Sequence, residues 1–457
     1  MKRGLLGRTL PGRTLLGRTL LLALACSAGV VAVDARDVRG ANAARQAVRV
    51  LDEAEVQAVH QRVLTLDTHI DIPPDFGSSA YDPMQLPTLP AGRGQQVHIP
   101  SMRSGGLDAA FLIVFVAQGP RDEAGYARAA ADAFTKFAAI HRVTTDHADQ
   151  IGFARTAQEV RDIAASGRKV ALIGIENGYA MGRDIRLLDQ FYDYGARYFG
   201  LVHVGNNDLG DSSMVNLKGV KPGAPLAEHG GLSALGKRVV ARLNELGIMV
   251  DVSHASDATT LDIIGTSKAP VIASHSGVRG VSAHPRNLTD EALRGIAASD
   301  GVVQIVAYDG YLRLPDAAKL AAIQALWAQL GVQSPAELRG LSAEKLAQYD
   351  AGMASIDARW PKADVQTLVN HIDYAVQLLG VDHVGIASDF NGGGGIVGWN
   401  NAGETLNVTR ELLRRGYTEA EIGKLWSGNL LRVLDAVQAY AATNMHAGAA
   451  ATSIGPQ

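Results

Sequence analysis

The sequence predicts an α/β protein, a (β/α)8 barrel of the TIM type with a long insertion between strands seven and eight. Three observations carry that expectation. Eight short runs rich in Val, Ile and Leu recur along the chain, and continuous apolar runs of this length read as strands buried on both faces of a parallel sheet. Stretches with helical periodicity and charge lie between them, so strand and helix alternate. Several of the runs carry His, Asp or Glu at or next to their C-terminal ends, and the C-terminal rim of such a barrel is where its sites are built. A doubly wound open sheet is the alternative, but no Gly-rich phosphate turn follows the first run.

In order, the runs are residues 63–70 (VLTLDTHI), 107–116 (LDAAFLIVFV), 169–177 (KVALIGIEN), 198–204 (YFGLVHV), 248–254 (IMVDVSH), 269–276 (APVIASHS), 302–308 (VVQIVAY) and 383–390 (HVGIASDF). Helices are expected between them, among others at 124–143, 233–247 and 365–380, and many of the 50 glycines fall where strand meets helix. The segment 310–364 is far longer than an ordinary connection. It carries helical material of its own around 317–330, and a flap or an oligomer contact is expected of it.

Composition narrows the function. A hydrophobic content of 47% against 19% charged residues supplies a sizeable core and argues against extensive disorder. A net charge of -3 without a basic stripe gives no reason to expect a nucleic-acid partner. Residues 1–35 read as a signal or targeting segment, basic and then apolar with small residues, and its apolar stretch at 20–33 is too short to span a bilayer securely, which takes ~20 residues. The GRTL unit at 7–10, 12–15 and 17–20 is too short to be a repeat fold. A periplasmic or secreted protein is expected, with no transmembrane segment in the mature chain. Lipid anchoring through Cys26, the only cysteine, is the lesser alternative. The barrel is expected over 45–440, with a flexible tail over 441–457.

The strand ends hold a possible metal centre. On a strand, residues two apart share a face, so His69 and Asp71 converge just before Pro73 and Pro74. Glu176 ends the third run, His203 lies in the fourth, His254 and His275 end the fifth and sixth, and Asp389 is in the eighth. Taken singly, each is more simply a cap or a strand-end hydrogen bond. Together, His69, Asp71, Glu176, His254 and His275 can hold two Zn ions if one carboxylate bridges, and Glu176 is the natural bridge.

The sequence resembles the renal (membrane) dipeptidase family of zinc metallopeptidases. The pieces that carry the resemblance are LDTHIDIPP (66–74), VHIPSMRSGGLDAAF (97–111), LIGIENGYA (172–180), GARYFGLVHVGNND (195–208), GGLSALGKRVVARLNELGIMVDVSHAS (230–256), APVIASHSGVRGVSAHPRNLTDE (269–291), DHVGIASDFNG (382–392) and GNLLRVL (428–434). The resemblance implies a binuclear site with His69, Asp71 and Glu176 on one zinc and Glu176, His254 and His275 on the other. It implies that His203 contacts the substrate carbonyl oxygen, Arg286 grips the free carboxylate, and Asp389 handles the catalytic proton and faces the amino group. The implied reaction is hydrolysis of the peptide bond of dipeptides by a hydroxide that the two ions activate. It also allows a homodimer.

The chain departs from the family pattern at Asn177, where a glycine is common, and at Asn391, where an aspartate is common. The 310–364 segment exceeds the animal forms, and their disulfides and lipid anchor are absent. Two other readings compete. One is a different amidohydrolase-type enzyme on the same barrel, such as a lactonase or a hydrolase of β-lactams or N-acyl amino acids. The other is a barrel that has lost catalysis and only binds. The HxD pair and the strand-three Glu speak against the first, and the complete ligand set against the second.

Overall fold

The Val/Ile/Leu runs become the strands of a parallel ring. The computed structural model describes residues 51–73, 75–85, 96–215, 225–333 and 335–452. The expected targeting segment, Cys26 included, lies outside them. The strands are β1 (Leu66–Asp71), β2 (Ala109–Phe115), β3 (Ile151–Phe153), β4 (Lys169–Glu176), β5 (Ala196–Gly200), β6 (Met249–Asp251), β7 (Val271–Ser276), β8 (Val302–Val306) and β9 (Val384–Ala387). The expected runs supply all but β3, and they pair in the order β1-β2-β4-β5-β6-β7-β8-β9, every pairing parallel. A parallel bridge between Ile70 and Phe390 closes the ring. There the Asp71 and Asp389 N–H groups donate to Phe390 O and His69 O at 2.9 and 3.0 Å. This is the TIM-type barrel the sequence predicts.

Three details differ from expectation. The short β3 pairs with Lys169–Ala171 of β4. Its three residues are too few for periodicity to reveal. His254 and Asp389 lie beyond their strands, because both have left-handed backbone, φ 68° and 59°, which no strand accommodates. His203 likewise follows the end of β5 at Gly200. Finally, the last helix runs Asn429–Thr452, so the tail expected from 441 begins as helix.

The helices form where caps and periodicity agree. Glu123–Asp146 is capped by Asp122, whose side chain accepts from Gly125 N–H. Ala234–Leu246 starts at Ser233 and stops at Gly247 in the left-handed region, the usual glycine C-cap. Val365–Leu379 opens with an Asp364–Thr367 capping box. Their buried residues, such as Val239, Val240, Leu243, Leu368 and Ile372, join one apolar core with strand residues such as Val114, Ile173 and Val250. A second cluster packs Leu430, Leu434 and Val437 of the last helix with Leu66, Phe111 and Leu172.

The 310–364 insertion folds on itself. Its helices Ala317–Leu330 and Ala343–Arg359 enclose a small core of Leu326, Leu330, Val332 and Ile356. Lys319 sits between Asp309 and Asp357 at 3.6 and 3.1 Å. Among the described residues, no helix is long and apolar enough to cross a membrane.

Candidate active site

The C-terminal ends of the strands meet around Glu176. From its Oε1, His254 Nε2 is 3.0 Å away, His275 Nε2 3.4 Å and His203 Nε2 3.9 Å. Its Oε2 lies 3.7 Å from His69 Nε2, which is also 3.9 Å from Asp71 Oδ2 and 4.0 Å from Asp389 Oδ1. The structure thus brings every expected ligand together, and His203 and Asp389 with them. Three sets of side chains converge closely enough to hold a cation: His69, Glu176 and His275; Glu176, His203 and His254; and His69, Asp71 and Asp389.

Backbone geometry aims these groups. His254, Asp389 and Asn177 all adopt left-handed φ at strand ends, a conformation that costs free energy and persists where the surroundings enforce it. Gly392 lets two carboxylates close in, since a Cβ there would lie 2.1 Å from Asp71 Oδ2 and 2.3 Å from Asp389 Oδ1. Gly174 does the same for Tyr198, whose ring a Cβ would meet at 2.2 Å.

Hydrogen bonds orient the imidazoles. His69 Nδ1 is 2.9 Å from the Tyr198 hydroxyl, which donates onward to Thr68 O at 3.1 Å. His275 Nδ1 is 2.9 Å from Ser274 Oγ, which donates to Asp251 Oδ2 at 2.6 Å. In both chains the hydroxyl proton is spent further on, so the hydroxyl oxygen must accept from Nδ1–H. Each Nε2 is then a free lone pair turned toward Glu176, the arrangement a metal ligand needs.

The electrostatics fit a cation. Burial raises Glu176 well above the usual carboxylate range, and the charges of Asp71 and Asp389 add to it. Burial raises Asp71 to about 7. Asp389 rises well above its ordinary value through burial and Asp71. Burial, with Arg286 a lesser cause, lowers His203 to about 4 and pushes His254 well down. His69 and His275 are also pushed well down by burial. Carboxylates that repel one another and imidazoles that resist protonation are relieved together by divalent charge. His69 Nε2 and Glu176 Oε1 are buried without a hydrogen-bond partner. The spacings among His254, His275 and Glu176 are 3.0, 3.0 and 3.4 Å, near the ~3.3 Å separating donors on a tetrahedral ion with bonds of about 2.0 Å. The residues present fit a metal.

Around the cluster lies a cavity of about 710 Å³. Tyr308 and Tyr311 wall one side, with rings stacked at 4.1 Å. Arg286 stands behind Tyr311, 5.5 Å from its ring. Two of its N–H groups donate to Ser276 Oγ and His275 O, both at 2.8 Å, while Nε has no partner. Apart from Tyr311, the insertion contributes no residue to this wall among the described residues.

Both departures from the family pattern acquire a reason. Asn177 takes the left-handed backbone that glycine would take, φ 71°, and asparagine tolerates it better than most residues. Its amide donates to Val116 O at 2.9 Å and accepts from Asn207 at 3.1 Å. Asn391 donates to Asp71 O at 2.8 Å while its Oδ1 accepts from Gln96 N–H at 2.9 Å. An aspartate could accept but not donate there. Sequence reasoning missed Asp67, Tyr198, Asp251 and Ser274. Asp67 was legible as the third same-face residue of LDTHID.

Comparison with known proteins points to one family. Residues 53–448 match the family model described as membrane dipeptidase (peptidase family M19). Dipeptidase aclJ of Aspergillus oryzae is 30% identical over 351 residues, 75% of this chain and 70% of that one. Dipeptidase verJ of Clonostachys rogersoniana is 32% identical over 303 residues, 65% and 63% of the two chains. The crystal structure of the probable dipeptidase PvdM from Pseudomonas aeruginosa superposes with a TM-score of 0.73 at 33% identity, covering 85% of this chain and 98% of that one. With a family model spanning nearly all of the barrel and these relatives beside it, the chain belongs to the membrane dipeptidase family, peptidase family M19.

Proposed function

We propose that the protein is a zinc dipeptidase that hydrolyses the peptide bond of free dipeptides at a two-metal site. The observation that carries the reading is the position of Glu176. One of its oxygens faces His254 and His275, and the other faces His69. His69, Asp71 and Glu176 would hold one ion, and Glu176, His254 and His275 the other. Bound there, the ions would supply Lewis acidity and water activation near neutral pH.

The chain's own groups do the rest. His203 is partly exposed to the cavity, its ring 4.2 Å from that of His254. In this reading its Nε2 donates to the substrate carbonyl oxygen as negative charge gathers there. Asp389 also lines the cavity. With its proton affinity raised, it can take a proton as the attack proceeds and return it to the departing amine. Arg286, with donors unspent, stands behind Tyr311 and in this reading offers the substrate carboxylate a planar partner. The basic, then apolar, N-terminal stretch supports export to the periplasm or the medium.

The test is elemental analysis of the purified protein together with hydrolysis of a dipeptide panel. Two equivalents of zinc per chain and turnover of free dipeptides are expected, with N-acetylated or amidated dipeptides resisting. A metal-free protein that cleaves as well as the zinc-loaded one would refute the reading.

A further inference from the structure

Opposite the Arg286 side of the barrel mouth stands a second cation. The helix Glu123–Asp146 brings Asp132, Thr135 and Lys136 to the cavity wall. Among the described residues, Lys136 is the only lysine or arginine on that wall. It is half-buried. Its Nζ donates to Phe115 O at the end of β2 and lies 5.6 Å from the Phe115 ring centre. Asp71, Asp132 and Glu176 are near enough to act on its charge, yet none is hydrogen-bonded to it. An ammonium has donors to spare after one such bond.

The strand order fixes where this cation sits relative to Arg286. In the ring β1-β2-β4-β5-β6-β7-β8-β9, the β2–β4 edge lies across the mouth from β7–β8. Lys136 is held over β2. Arg286 is tied to Ser276, the last residue of β7. Glu176, His203 and His254 lie between them. A dipeptide whose carboxylate points to Arg286, with its scissile bond over Glu176, turns its first side chain toward Phe115 and Lys136. The Phe115 ring can cover methylene groups there, and the ammonium can meet an acid at their end.

We propose that Lys136 binds the side-chain carboxylate of an acidic N-terminal residue, making Glu-Xaa and Asp-Xaa dipeptides preferred substrates. The inference rests on the dipeptidase reading and names its substrate class. The test compares kcat/KM of the zinc-loaded enzyme on Glu-Ala and Gln-Ala, which share a shape and differ in charge. Glu-Ala is expected to be favoured by about tenfold, the scale of a hydrogen bond to a charged group. Lys136→Met should bring the ratio near one, Lys136→Glu should invert it, and Lys136→Arg should largely keep it.

A ratio near one in the parent enzyme, or one that Lys136→Met leaves unchanged, overturns the proposal while the dipeptidase reading stands. Equal losses on both substrates in Lys136→Met also overturn it, because they would mean that Lys136 holds the terminal carboxylate or merely braces β2. If the parent cleaves other dipeptides of the panel but neither of these two, only the inference falls; if it cleaves no dipeptide at all, the dipeptidase reading falls and takes the inference with it.

Discussion

Two buried aspartates, Asp67 and Asp251, lie beneath opposite sides of the site and share half of a task. Asp67 Oδ1 accepts the N–H groups of His69 and Ser388 at 3.1 and 3.0 Å, tying the end of β1 to the end of β9. Asp251 Oδ1 accepts those of Ser253 and Ser274 at 3.0 and 2.7 Å, tying β6 to β7. Each carboxylate thereby stitches together two strands that deliver candidate ligands. The second oxygens differ. Asp251 Oδ2 takes the Ser274 hydroxyl and, through it, fixes the His275 ring. Asp67 Oδ2 is buried with no partner.

The two sides of the site differ in the same sense. Above Asp251, the contacts of His254 and His275 with Glu176 are 3.0 and 3.4 Å. Above Asp67, those of His69 with Glu176, Asp71 and Asp389 are 3.7 to 4.0 Å. A preorganised histidine side stands beside a wider carboxylate side whose groups repel one another. The first should bind a cation tightly with little adjustment, and the second should close as charge arrives. Occupancy should therefore be stepwise, with the histidine side filled first.

Removing what both sides share breaks the comparison outright and has the largest expected effect. Glu176→Gln keeps the shape but offers one oxygen and no charge. The outer partners of metal ligands alone are worth about 10–100-fold, so in the two-ion reading losing a ligand proposed for both ions should lower kcat/KM by at least about a thousandfold. The bound metal should fall below two equivalents. Elemental analysis beside dipeptide kinetics checks this. A variant retaining two ions would show that Glu176 is not shared.

Asp251→Asn sharpens the comparison and ranks second. The amide oxygen can still take the two backbone N–H groups, but the amide nitrogen cannot accept from Ser274. The hydroxyl would then turn, and His275 would lose its enforced tautomer. The first metal equivalent should bind about 10–100-fold more weakly, read by competition with a chelating dye. Ser274→Ala should lose a similar amount, and the double variant little more, since both act on one chain of hydrogen bonds. Additive losses would mean that the relay does not operate.

Much of this could be read from the chain. The eight runs alternate with helices, so the barrel followed from periodicity, and the candidate ligands followed from residue type at or next to run ends. What escaped was of two kinds. The three-residue β3 has no pattern to detect. The relays of Tyr198 and Ser274 depend on side chains from strands far apart in sequence, and nothing local marks a serine beside a histidine as its orienting partner. The left-handed backbone of His254 and Asp389 was equally hidden, because sequence periodicity assigns them to the strands that they in fact follow.

Asp67→Asn should have the smallest effect on metal, under about threefold, because no hydrogen bond is lost at its free oxygen and the backbone bonds remain; an Asp251-sized loss would erase the asymmetry. The variant's signature should instead be pH-dependent stability of the metal-free protein. Burial raises Asp67 from 3.8 to about 6, so the folded state favours its protonated form. That contribution is whole below pH about 4 and is lost as pH rises through about 6. The parent should therefore lose stability over this window by an amount the neutral asparagine does not. Measured by thermal melts from pH 4 to 7, the variant's Tm relative to the parent should climb with pH. A difference that stays flat would place a hydrogen-bond donor at the Asp67 oxygen that now lacks one.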